Sequence, residues 1–371
     1  MKGLPLSDII SAHPLTAYGW DDGFAESFAP YAADGLVPGR IVRVDRGRCD
    51  LVVAAGDTVA TVQGDTSLVT TGDPVAIMCT GDWAAVDREQ GYVRALLPRR
   101  TAFVRSTSSK RSEGQILAAN VDHAVIAVPL TGELDLGRIE RFLALAWESG
   151  ATPLVVLTKA DLVTDPAVLD HLVADTEGAA PGVLVLAVSA ETGLGVDVLG
   201  AVLTGGTAVL LGQSGAGKST LANALFGAAA QHVQTIRDRD GKGRHTTTTR
   251  NLLPLPHGGV LIDTPGLRGV GLWDAGNGVA QVFAEVEELA EECRFHDCGH
   301  VAEPGCAVLA AVDSGALPER RLASYRKLLR ENERLAARTD ARLRAERRRD
   351  WKQKQQLGRH MAERKRGPSR G

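Results

Sequence analysis

The 371-residue chain is short of several things, and each shortage closes off a class of function. No apolar run approaches the ~20 residues that a membrane-crossing helix needs. Its start lacks the basic-then-apolar layout of a secretion signal, and its 5 cysteines are not spaced as a disulfide framework. Together these point to a reducing cytoplasm and no membrane partner. Aromatics are scarce from Gly39 to Pro98, where Trp83 and Tyr92 stand out, so nucleic acid held there would be read through backbone and shape rather than base stacking. Net charge nearly cancels, with 42 Lys and Arg against 45 Asp and Glu.

That cancellation hides a polarised chain. From Glu319 to Gly371 there are 19 Lys and Arg against 7 Asp and Glu, a surplus of +12 that leaves −15 on the rest. An acidic body with a basic arm points to a polyanionic partner gripped by the arm. Helical spacing runs from Pro318 to about Arg349, with Leu322, Tyr325, Leu328, Leu329, Asn332 and Leu335 near one face. The final run, Arg347-Arg348-Arg349 through Arg370, has little apolar content and is expected to be a disordered, RNA-binding tail.

Three short motifs carry the chemistry. The apolar run Thr207–Leu211 reads as a buried strand, then Gly212-Gln213-Ser214-Gly215-Ala216-Gly217-Lys218-Ser219, then a helix opening at Thr220 and running to Phe226. In a phosphate-binding loop of this kind the glycines let backbone N–H groups converge on phosphate oxygens, Lys218 reaches the β- and γ-phosphates, and Ser219 offers its hydroxyl to Mg²⁺. Val260–Asp263 reads as a second buried strand with a carboxylate at its tip, suited to Mg²⁺, while the Gly266 N–H is placed for the γ-phosphate. Thr158-Lys159-Ala160-Asp161 follows the strand Pro153–Leu157. Asp161 can accept two hydrogen bonds from guanine N1–H and its N2 amine, a donor pair adenine lacks. The Lys159 stem can lie over the base, and Ser189-Ala190, closing the strand Val183–Val188, stands where a supporting base loop would be.

In ordinary small GTPases the phosphate loop opens the domain and the base reader closes it. Here Asp161 precedes Lys218, which precedes Asp263, so the domain is circularly permuted. Between the last two lies the glycine- and charge-rich segment Arg237–Arg250, expected to be a mobile loop, in which Thr247 or Thr248 is placed to complete the Mg²⁺ shell, Thr247 being the first choice. Further on, Cys293, Cys298, His300 and Cys306 form a Cys₃His set of the kind that closes around a structural zinc, with His296 a competing ligand. Four protein ligands leave no open position for catalysis. Cys49 and Cys79 sit singly in apolar strands. In the amino-terminal third, short β-rich runs (Arg40–Val44, Cys49–Ala54, Thr58–Gln63, Pro74–Cys79 and Tyr92–Leu97) alternate with Gly-Asp turns and suggest a small closed barrel.

The motif order, the Gly243-Arg244-His245-Thr246-Thr247 loop, the cysteine cluster and Ala118-Ala119-Asn120-Val121-Asp122 resemble the small-ribosomal-subunit-dependent GTPase family (RsgA, also called YjeQ) over nearly the whole chain. The resemblance implies a monomeric GTPase that assists late maturation of the small ribosomal subunit, contacts its rRNA, and hydrolyses GTP to GDP slowly until the subunit stimulates it. It implies an OB-type β-barrel, a circularly permuted α/β P-loop domain and a helical zinc-binding domain. The expected division is an extension at 1–36, the barrel at 37–103, the GTPase domain at 104–274, the zinc-binding helices at 275–345 and a basic tail at 346–371. The family pattern gives the fourth zinc ligand to His300. Leu267 follows Gly266, where small GTPases carry a water-orienting Gln, and the resemblance supports His245 as its replacement. Gly215 stands where potassium-activated GTPases carry Asn, so direct potassium activation is not expected. Two rivals remain distinct: a nucleotide-gated RNA-binding module, separable by subunit-stimulated hydrolysis, and an ATP-using P-loop enzyme, which conflicts with Asp161.

Overall fold

A computed structural model describes residues 13–45, 47–69, 77–106, 114–227, 250–263 and 276–339. His245, Thr247, Thr248, Gly266, Leu267 and the tail 346–371 lie outside the described residues. Within the weakly patterned lead, a 3-10 turn (Pro14–Tyr18) is followed by helix α1 (Asp22–Ala32), capped where Asp21 accepts the Phe24 N–H at 3.0 Å. Phe24 and Phe28, one turn apart, pack with Trp20 against the buried Trp83. This helix was hidden by its Gly, Ala and Asp content, but its aromatics give it a place on the barrel.

Five strands, β1 (Val37–Asp45), β2 (Arg48–Ala55), β3 (Thr58–Asp65), β4 (Trp83–Asp87) and β5 (Tyr92–Leu96), close into a barrel in the order β1-β2-β3-β5-β4. Ile41, Cys49, Leu51, Val86 and Val93 fill its interior. The barrel is as expected, but one strand is not. Of the expected strand Pro74–Cys79, residues 74–76 lie outside the described residues and Ile77, Met78 and Cys79 are in no strand, while the fourth strand of the described barrel is Trp83–Asp87. Asp82, itself paired with Arg99 at 2.6 Å, accepts the Cys79 N–H at 2.8 Å and turns the chain there. The run Trp83-Ala84-Ala85-Val86 is buried throughout, and its weakly β-forming alanines masked it.

A hairpin, β6 (Ala102–Ser106) with β7 (Gly114–Ala119), leads into the second sheet. There follow β8 (His123–Pro129), α2 (Leu136–Ser149), β9 (Thr152–Thr158), α3 (Pro166–Ala179), β10 (Leu184–Val188), α4 (Val196–Leu203), β11 (Thr207–Leu211), α5 (Lys218–Phe226), β12 (Asn251–Pro254) and β13 (Val260–Asp263). The sheet runs β10-β9-β8-β11-β13-β12, parallel except for the edge strand β12. Strand order reverses between β8 and β11, and doubly wound sheets bind ligands outside such a switch point, at the carboxyl ends of their strands.

Helices α6 (Gly276–Val282), α7 (Ala284–Glu291), α8 (Ala307–Asp313) and α9 (Glu319–Thr339) complete the described chain. Their Val279, Phe283, Val286, Leu322, Tyr325 and Leu328 share one continuous core with Phe142 and Leu143 of α2. A Cβ on Gly278 would sit 2.0 Å from the Ala144 carbonyl oxygen, so only glycine allows α6 to lie this close to α2. Arg321, 3% exposed, donates to Glu140 at 2.8 Å, to Glu285 at 2.7 Å and to the Val282 carbonyl at 2.7 Å. Glu140 is fully buried and also accepts from Arg320 and Ser324. No helix among the described residues is long and apolar enough to cross a membrane.

Candidate nucleotide and metal sites

At the carboxyl ends of β9, β10 and β11 the chain leaves a cavity of about 310 Å³. Thr158, Lys159, Asp161, Ala190, Gly217 and Thr220 line it, so the base motif and the phosphate loop, more than fifty residues apart in the chain, face one space. The two are also bonded to each other: the Thr158 hydroxyl, buried, donates to the Ala216 carbonyl at 2.8 Å. Asp161 is held in place by Ser189, whose hydroxyl donates to Oδ1 at 2.5 Å. Lys159 takes a left-handed backbone conformation at φ 61°, an uncommon state for a residue with a Cβ.

The phosphate loop owes its shape to glycine. Gly212 has φ 137°, and a Cβ there would meet the Ala127 carbonyl oxygen at 2.5 Å. Lys218 opens α5 and folds its ammonium back over the loop, donating to the Gly212 and Gln213 carbonyls at 2.7 Å each. Ser214, Gly215 and Ser219 are exposed on the rim. Asp263 is the last residue of β13, which runs parallel to β11 and so brings the carboxylate to the same sheet edge. Ser219 and Asp263 therefore fit a Mg²⁺ bound with a nucleotide: a hydroxyl and a carboxylate, both hard oxygen donors, beside a lysine.

Four lining residues carry no motif signal: Leu162, Val188, Glu191 and Leu221. Leu162 is 57% exposed, which for a leucine at a cavity mouth was the available hint. Arg138, at the start of α2, was also missed; its guanidinium donates to the Gln213 side chain of the phosphate loop.

A second cluster forms between α7 and α8. The ligand atoms of Cys293, Cys298, His300 and Cys306 all lie within 4.8 Å of one another. His296 is not in the cluster, so of the two candidate histidines His300 takes the place. Bonds of about 2.3 Å to sulfur and 2.0–2.1 Å to nitrogen set tetrahedral edges of roughly 3.8 Å between sulfurs and 3.5 Å from sulfur to nitrogen. The Cys293 and Cys306 sulfurs are 3.8 Å apart, and His300 Nδ1 stands 3.6 Å and 3.4 Å from them. The residues present fit a tetrahedral metal ion. Burial lowers the His300 pKa, which favours the neutral imidazole that ligates. Glu303 shapes the loop by accepting the Gly299, Val301 and Ala302 N–H groups at 3.2, 2.7 and 3.0 Å. Those bonds, Ala302 and Val301 foremost, hold its carboxyl down at about 2, so their help is present above the normal carboxylate range and is lost only as pH falls through that value.

A base loop ahead of a phosphate loop on one parallel sheet defines a circularly permuted P-loop GTPase. The RsgA GTPase family model matches residues 96–273. A Streptomyces coelicolor protein named small ribosomal subunit biogenesis GTPase RsgA is 72% identical over 355 residues, which is 95% of this chain and 96% of that protein. The crystal structure of YjeQ from Thermotoga maritima matches with a TM-score of 0.59 at 26% identity, covering 80% of this chain and 98% of that one. YloQ, described as a circularly permuted GTPase, shares the fold with a TM-score of 0.59 at 21% identity, over 80% of this chain and 95% of its own. The chain belongs to the RsgA GTPase family and is a GTP hydrolase.

Proposed function

We propose that this GTPase binds the small ribosomal subunit and its rRNA in the GTP state, assists a late step of subunit maturation, and leaves after subunit-stimulated hydrolysis to GDP. The nucleotide part rests on one observation: Asp161, fixed by Ser189, faces the same cavity as the phosphate loop that Thr158 ties to it. The ribosomal part is supported by the name of the 72%-identical relative and by the +12 surplus in residues 319–371.

Asp161 reads guanine, with Lys159 over the ring and Ser189 and Ala190 behind it. Gly212 through Thr220 surround the phosphates with amide donors, and Lys218 exchanges the Gly212 and Gln213 carbonyls for β- and γ-phosphate oxygens. Ser219, Asp263 and Thr247 hold Mg²⁺, which neutralises charge on the phosphates when bound. Gly266 donates to the γ-phosphate and His245 orients the attacking water. The ion of the Cys293, Cys298, His300 and Cys306 cluster is a single structural zinc, matching its sulfur-rich donor set. The protein works as a cytoplasmic monomer, with a barrel at 37–103, a GTPase domain at 104–274, zinc-binding helices at 275–345 and the basic tail beyond.

Co-sedimentation with small subunits, in GDP and in a non-hydrolysable GTP analogue, tests this reading. The analogue form is expected to pellet and the GDP form to stay in solution. Single-turnover hydrolysis should rise more than about tenfold with subunits, a barrier lowered by at least ~1.4 kcal/mol. His245→Ala should lose that rise while keeping GTP affinity, as befits a contact made in the transition state. Equal pelleting in both states with no stimulation would leave a nucleotide-gated RNA-binding module instead.

A further inference from the structure

A second cavity, of about 400 Å³, lies at the other end of the GTPase sheet. Trp20 and Asp21 from the leading segment, Arg40 from β1, Arg100 from the strap before β6, and Asp122 and Gly206 beside the starts of β8 and β11 wall it, two guanidiniums and two carboxylates among them. The nucleotide cavity is at the far end of β11, whose five residues span ~16 Å.

This second cavity is built around a buried cation. Arg40 is 1% exposed, and its partners among the described residues are neutral: Nη2 donates to the Asn120 carbonyl at 3.0 Å and to the Thr207 hydroxyl at 3.1 Å, and the guanidinium lies 4.9 Å from the centre of the Trp83 ring. Its Nε is buried with no hydrogen-bond partner. Among the described residues Arg40 makes no ion pair; the carboxylates acting on it from further off, Asp122 and Asp82, are bonded elsewhere, to the Thr207 N–H at 2.7 Å and to Arg99 at 2.6 Å. Burial brings the Arg40 pKa down to about 10, which still leaves it charged at neutral pH. Arg100, at the same wall, adds a second guanidinium, held by Asp21 at 2.5 and 2.6 Å. Buried charges are stable in proteins when a directly paired opposite charge or full hydrogen bonding meets them; among the described residues Arg40 has no direct pair, its Nε is unbonded, and Asp122 and Asp82 act on it only from beyond contact.

We propose that this cavity is a second ligand site, taking a small phosphate-bearing anion on Arg40 and Arg100. Such a ligand touches the leading helix, the barrel and the GTPase sheet together, so its binding would clamp the barrel onto the sheet. The anion could be free phosphate or a phosphate monoester, whose organic part would lie toward Trp20 and Phe24.

Calorimetric titration decides the matter with the nucleotide cavity filled by Mg²⁺ and a non-hydrolysable GTP analogue, so that the phosphate loop cannot take the probe. Inorganic phosphate and glycerol 3-phosphate are titrated separately. Saturable binding of about one anion per chain is expected, tighter for the monoester if the organic part is seated. Arg40→Met and Arg100→Ala should each weaken it at least tenfold while leaving analogue affinity unchanged. Should Arg40→Met fail to fold, Arg100→Ala decides alone, since that side chain is 44% exposed and outside the barrel core. No saturable binding by wild-type protein means a water-filled cavity, and unchanged affinity in the variants means binding elsewhere; either result overturns the proposal.

Discussion

The Asp161 carboxylate is oriented by its neighbours. The Ser189 hydroxyl pins one carboxylate oxygen, and Lys159, two residues earlier, holds a left-handed turn that carries the chain from β9 into the loop. Among the described residues only three non-glycines have positive φ: Lys159 at the base pocket, His300 at the metal cluster and Asn120 at the Arg40 cavity. Strain of this sort gathers where a site needs a side chain held in a set place. At this scale the consequence of the proposed base reading is measurable. Asp161→Asn should lower GTP affinity by roughly 10- to 150-fold, the worth of a charge-assisted hydrogen bond at about 1.5–3 kcal/mol, and should admit xanthosine nucleotides. Nucleotide competition checks it; unchanged GTP affinity would remove Asp161 from the base site.

At the scale of elements, the stretch between α7 and α8 holds no regular helix or strand, and Glu303 with the Cys₃His set substitutes for the core it lacks. Cys306 also caps α8 by accepting the Leu309 N–H at 3.4 Å, so the ligand set and the helix start are joined. Metal analysis should find about one zinc per chain, the content of a closed four-ligand site. Cys298→Ala should lose that zinc and make residues near the cluster protease-sensitive, while guanine-nucleotide binding survives. A metal-free wild-type protein with a protease-resistant carboxyl-terminal part would rule the site out. The same scale explains why Trp83–Asp87 was not expected as a barrel strand. Pro74–Cys79 has the apolar look of a strand, whereas Trp83–Asp87 owes its place to burial against α1 and the barrel interior, which no local pattern encodes.

Across the whole molecule, α2 connects the parts. Its first turn bonds the phosphate loop through Arg138 and Gln213; its body holds Glu140, which receives Arg321 of α9; and Arg141 pairs with Glu331 further along α9. The carboxyl-terminal helices are thus built into the GTPase core rather than appended to it. Removing one partner of a buried pair costs up to about 3–5 kcal/mol, and here less, because Glu140 keeps Arg320 and Ser324. Arg321→Met should therefore lower the thermal midpoint by several degrees and expose α9 to protease, and adding Glu140→Gln should recover much of the loss. Additive losses in the double variant would show that the two side chains do not depend on each other.

The chemistry was legible in the sequence because it depends on residue types at short spacings. Gly212 to Ser219 needs glycines where the backbone bends and a lysine one residue after the last of them; Asp161 and Asp263 each need a carboxylate at or just past the end of a buried strand; three cysteines and a histidine within fourteen residues need little else to surround a metal. The parallel sheet followed from the same strand-and-loop units. What tertiary structure alone decided are the meetings of distant residues. The Thr158 bond to Ala216, the seat of α6 on α2 at Gly278 and the burial of Arg40 at the junction of barrel and sheet arise from packing between segments far apart in the chain. Local periodicity carries no record of such contacts, because the free energy that selects them is set by surfaces that exist only once both partners have folded.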